Sequence, residues 1–65
     1  MKKLEIIVEN TRTGYSAYVR KYPVFTTGNN LEEIRVNVLE ALNLYFEEQH
    51  IKITEEDVIL SVAAY

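Results

Sequence analysis

The 65-residue chain has no cysteine, so no disulfide can staple it and no thiolate can hold zinc. It has one histidine, His50, which leaves neither a zinc ligand set nor a Ser-His-Asp triad to assemble. Its apolar runs are only a few residues long, so no segment reads as a membrane span or a signal peptide. With the missing cysteine, that pattern fits a cytoplasmic protein. The single proline, Pro23, lacks an N–H and belongs at a turn or at the start of an edge strand. There is no repeat, no low-complexity segment and no linker, so residues 1–65 read as one domain.

What is present is apolar surface. Hydrophobic residues make up 48% of the chain, enough for a packed core and too many for a disordered one. A chain of this length buries only about 60% of the surface its unfolded form exposes. Association with another chain is then the remaining source of stability.

The net charge of −3 is unevenly spread. Residues 1–28 carry Lys2, Lys3, Arg12, Arg20 and Lys21 against Glu5 and Glu9, a surplus of +3. Residues 29–65 carry Arg35 and Lys52 against eight carboxylates, for −6. A domain that grips nucleic acid with its whole surface is normally basic, because each neutralised phosphate needs a cation. An acidic half suits a basic protein partner. It equally suits a solvated face that keeps a small protein soluble.

Leu4, Ile6 and Val8 alternate with Lys3, Glu5, Ile7 and Glu9, the period of a half-buried strand. Asn10–Gly14 then reads as a hairpin loop. Tyr15, Ala17 and Val19 form one face of a second strand, and Ser16, Tyr18 and Arg20 the other. Val24–Thr27 is a short third strand after Pro23. Asn30 is a good helix N-cap, with Glu33 three residues on in the capping-box position. Leu31, Ile34, Val38, Ala41, Leu42 and Tyr45 recur at helical spacing, a stripe about 20 Å long that Leu39 and Phe46 broaden. Glu40, Asn43, Glu47 and Glu48 are expected toward solvent, and the helix fades near Gln49 or His50. Thr54 can start a short helical turn, and Asp57–Tyr65 reads as a final strand with Val58, Leu60 and Val62 on one face.

These pieces predict an α+β fold: a three-stranded antiparallel meander, one helix, and a fourth strand parallel to the first. A right-handed crossover makes the last strand parallel to the first, and the simplest sheet then has the order 3-2-1-4. One helix covers one face. The other presents Ile7, Tyr18, Ile59 and Tyr65, an apolar and aromatic surface that needs a partner.

Several local features over residues 14–48 keep the order and spacing of a known family. They are Gly14-Tyr15, Ala17-Tyr18, Pro23, Thr26 with Gly28, the Leu31-Glu32-Glu33 helix start, Glu40-Ala41, and Tyr45 before Glu47. In these the chain resembles HicB-like antitoxins, with Val24 and Ile34 standing where the family commonly has Gly and Ala. The resemblance implies a truncated RNase-H-like sheet with one helix. It also implies an antitoxin that inhibits a small basic, RNA-cleaving toxin of the HicA type. Family members often add a DNA-binding domain; none is expected within residues 1–65, and operator binding is not expected of this chain alone.

Individual sites read blandly. Gly28-Asn29-Asn30 precedes a helix, as phosphate loops do, but Glu32 and Glu33 in the first turn repel an anion and no Lys or Arg adjoins. The loop reads as a turn and a cap. Glu5 and Glu9 share a strand face about 13 Å apart, too far to share one nuclease metal ion. Glu47, Glu48, Glu55, Glu56 and Asp57 meet only if the fold gathers them. His50, just past the helix, suits the negative end of the dipole. The five tyrosines, with Arg20 and Lys21 beside Tyr18 and Tyr22, could stack on RNA bases but suit packing and protein contact better. No catalytic, cofactor-binding or metal-binding residue is expected, and the chain does not read as an enzyme. The expected interface is Ile7, Tyr18, Ile59 and Tyr65 on the open face, with Glu40, Glu47 and Glu48 on the helix. The expected partner is a HicA-like toxin or, as the alternative, another copy in a homo-oligomer without enzymatic activity.

Overall fold

The computed structural model describes residues 3–63. Strand β1 (Leu4–Thr11) pairs antiparallel with β2 (Gly14–Val19), with Thr11 opposite Gly14, so Arg12 and Thr13 alone make the turn. β2 pairs antiparallel with β3 (Phe25–Gly28), and β4 (Val58–Val62) pairs parallel with β1. The sheet order is β3-β2-β1-β4, the simplest order expected from the sequence. The helix α1 (Leu31–Tyr45) lies on one face and packs mainly against β3 and β2. No helix among the described residues is long and apolar enough to cross a membrane.

Local chemistry explains the boundaries. Pro23 sits at the centre of a tight turn in which the Val24 N–H donates to the Tyr22 carbonyl at 2.7 Å, a γ-turn geometry that the proline ring favours. Val24 is buried there, and β3 begins one residue later than the sequence suggests. Gly28 ends β3 under the start of α1. A Cβ on Gly28 would lie 3.1 Å from both the Glu33 Cβ and the Ile34 backbone N, so the missing side chain lets the helix sit close to the sheet. At Gly14 the missing side chain instead makes room for the end of β3. A Cβ there would lie 2.5 Å from the Gly28 carbonyl oxygen across the β2–β3 ladder.

The core is the meeting of the two periodicities. Ile6, Val8, Ala17 and Val19 supply one sheet face, and Ile34, Val38 and Leu42 supply the helix stripe; all seven are essentially fully buried. Val24, Phe46 and Ile53 close the ends of this cluster. Leu31 and Tyr45, at the two ends of the stripe, overhang the core and remain partly exposed.

The helix stops at Tyr45. A single 3-10 turn (Glu47–Gln49) follows, and His50 takes the left-handed conformation at φ 57°, with its N–H donated to the Glu47 carbonyl. The chain then returns along the helix flank. Here one expectation is corrected: Asn43 does not face solvent. Its side-chain amide donates to the Leu39 and Ile53 carbonyls at 2.8 and 2.9 Å, and its oxygen accepts the Ile53 N–H at 2.7 Å. The returning segment needs its backbone groups satisfied as Ile53 enters the core, and Asn43 supplies the partners. Thr54 and Asp57 then form a capping box around a 3-10 turn (Glu55–Asp57) that leads into β4.

Candidate functional site

No cluster of three or more His, Asp or Glu side chains suited to a metal ion exists among the described residues. The Gly28–Asn30 loop is occupied by its own chain. The Asn29 N–H donates to the Glu33 carboxylate at 3.1 Å, and the Glu33 N–H to the Asn30 side-chain oxygen at 2.8 Å. Two backbone donors at this turn are thereby taken, and a carboxylate sits beside them where it repels an anion. Tyr22, Tyr45 and Phe46 pack on one another, with ring centres 5.0 to 5.6 Å apart and the rings steeply tilted to one another. Tyr22 and Tyr45 therefore serve packing, in the geometry aromatic pairs favour.

Two surfaces stand out, and they approach each other at β3, where Leu44 of the helix and Phe25 of the sheet line one shallow depression. The first is the outward side of α1. Positions 36, 40, 44 and 47 fall on one side of a helix by spacing. Val36, Leu39 and Leu44 line a shallow cleft of about 480 Å³ together with Glu40, Asn43 and Glu47. Leu44 is 72% exposed and adds apolar surface to this cleft. Asn43 is engaged with Ile53, so the polar groups left to meet a partner here are the two carboxylates.

The second surface is the uncovered sheet face. Phe25, Tyr18, Ile7 and Ser61 stand side by side across all four strands, through the Tyr18–Phe25, Ile7–Tyr18 and Ile7–Ser61 pairs. Ile59 lies in the adjoining row opposite Glu5. Glu5 accepts from Arg20 at 3.0 Å and from the Ser61 hydroxyl at 3.3 Å. Both members of the Arg20–Glu5 pair are well exposed, so the pair contributes less than about 1 kcal/mol and serves mainly to keep charge organised beside the apolar row.

The expected interface residues therefore divide. Ile7, Tyr18 and Ile59 share the sheet face, Glu40 and Glu47 share the helix cleft, and Glu48 is exposed in the following 3-10 turn without lining that cleft. Tyr65 lies outside the described residues. Sequence reasoning missed Phe25, at 66% exposure one of the most open aromatics, and missed Val36 and Leu44. The hairpin register that places Tyr18 opposite Phe25 was the available signal for the first. The eight-residue spacing around Glu40 was the signal for the others.

Comparison of the chain with protein-family models, with curated proteins and with solved structures finds no match.

Proposed function

We propose that this chain is a non-enzymatic protein-binding domain of HicB-like antitoxin type. It acts in the cytoplasm by masking a small basic, RNA-cleaving toxin. The observation that carries the reading is the cleft on the outer side of α1, where Glu40 and Glu47 border exposed Val36 and Leu44. Apolar side chains beside carboxylates are the complement of a basic protein surface. A toxin that grips RNA must present cations, and carboxylates presented to those cations compete directly with phosphates. The strongly acidic second half of the chain, at −6, extends the same field and speeds encounter. The sheet order and one-sided helix agree with the fold that the family resemblance implies.

The test is co-expression with the short basic protein encoded beside its gene. A stoichiometric complex with suppressed RNA cleavage is the expected result. The double variant Glu40→Lys, Glu47→Lys is expected to weaken that complex roughly a hundredfold, since two attractive contacts become repulsive. Two proteins that elute separately, or a gene with no short basic neighbour, would overturn the reading.

A further inference from the structure

Strand β4 is an edge of the sheet, and it is bare of the devices that usually protect an edge. Val58–Val62 contains no lysine, no proline, no charge of any kind and no bulge. The opposite edge, β3, is four residues long, carries two threonines and follows directly on the Pro23 turn. β4 also exposes one apolar side chain on each face: Ile59 and Val62, on opposite sides of the strand, are each 49% exposed. Because α1 packs mainly on β3 and β2, the helix leaves this side of the sheet thinly covered.

The free edge has a defined polarity. The Ala63 N–H donates inward to the Val8 carbonyl, so the alternation of the strand turns the backbone groups of Leu60 and Val62 outward. The Val58 N–H is taken by the Glu55 carbonyl, although its own carbonyl remains available to the outside.

We propose that β4 pairs antiparallel with the β4 of a second copy, about a two-fold axis at Leu60. The two sheets then become one continuous sheet. Leu60 faces its counterpart, and each Val62 faces the other copy's Val58. About four inter-copy hydrogen bonds form: the Leu60 N–H to the opposite Leu60 carbonyl and the Val62 N–H to the opposite Val58 carbonyl, each twice.

Charge selects the second copy over a basic strand. The strand carries no carboxylate of its own, the Glu5 carboxylate that reaches Ser61 is already paired with Arg20, and the strand's apolar side chains match themselves. The acidic turn Glu55–Asp57 precedes the strand, so antiparallel pairing sends the carboxylates of the two copies to opposite ends, with Asp57 opposite Ala63. A two-fold contact is also closed: it uses up the open edge of both copies and leaves no new one. Pairing over five residues is small beside the roughly 800 Å² per partner of a standard interface, so dissociation in about the micromolar range is expected. Both the helix cleft and the bare sheet face stay free, and this pairing does not depend on the proposed toxin partner.

Sedimentation of the isolated chain across a concentration series tests the pairing. A monomer–dimer equilibrium is expected, with Val62→Lys shifting the dissociation constant by tenfold or more toward monomer and Tyr18→Glu, on the bare face, leaving it unchanged. Circular dichroism confirms that both variants are folded. Should Val62→Lys fail to fold, hydrogen exchange on the unaltered chain decides: protection of the Leu60 and Val62 amides must rise with protein concentration. A chain that stays monomeric throughout, concentration-independent exchange at those amides, or a dimer dissolved by Tyr18→Glu and not by Val62→Lys would each overturn the proposal.

Discussion

Leu42→Ala is expected to remove most of the stability of this domain. Leu42 is fully buried where the helix meets the sheet, among Ile6, Val8, Val19 and Val38. Truncating a buried leucine costs about 2–5 kcal/mol, part lost transfer energy and part the cavity left behind. A chain of 65 residues has only about 3–10 kcal/mol in total. Leu44→Ala, two residues along the same helix, provides the contrast. Leu44 is turned outward, and its truncation is expected to change stability by about 0.5 kcal/mol or less. Urea denaturation of the two variants measures the difference. Equal losses would mean that the helix does not present the side assigned to it.

The second large effect is expected at Asn43. Its side chain satisfies both backbone groups of Ile53 as that residue enters the core. Asn43→Ala leaves an N–H and a carbonyl without partners in a partly buried place, at a cost of about 2–3 kcal/mol. The local signature is more specific than the global one. Hydrogen exchange at the Ile53 amide is expected to accelerate by about tenfold beyond what the fall in overall stability explains. Asn43→Asp keeps the acceptor for the Ile53 N–H but turns an oxygen toward two carbonyls, so it is not expected to rescue. An Ile53 amide equally protected in all three proteins would show that the segment is held by burial alone.

These two residues also mark what the sequence does and does not disclose. Leu42 is legible because its position follows from helical spacing with Ile34 and Val38, and helical spacing is a local property. The strands are legible for the same reason, since a period of two places Ile6 and Val8 together whatever the rest of the chain does. The order β3-β2-β1-β4 was legible as the simplest sheet that puts the last strand parallel to the first after a crossover helix. Asn43 is not legible, because its partner lies ten residues downstream and comes into range only once the chain has reversed past His50. As a polar residue near the outer side of the helix it resembles Glu40 and Glu47, and only the path of residues 50–54 distinguishes it.

The surfaces divide in the same way. The bare sheet face follows from counting one helix against two faces, and Ile7 and Tyr18 were its visible members. Phe25 required the register of the second hairpin, which the tight turn at Pro23 sets. The helix cleft required knowing that α1 sits over β3 and β2, because that offset decides which flank of the helix stays open. Offset of this kind arises from packing volumes: Gly28 lets the helix start close to β3, and the small Ala17 gives it room over β2.

Two adjacent residues, Ile6 and Ile7, test the central claim most directly, namely that one helix clothes one side of this sheet and leaves the other for a partner. Their side chains point to opposite faces, and nuclear Overhauser contacts among assigned methyl groups report which face meets the helix. Contacts from Ile6 and Val8 to Val38 and Leu42 are expected, with none from Ile7 or Tyr18 to any residue of α1. Contacts between Ile7 and the helix, or between Ile7 and a further segment folded over it within one chain, would contradict the account.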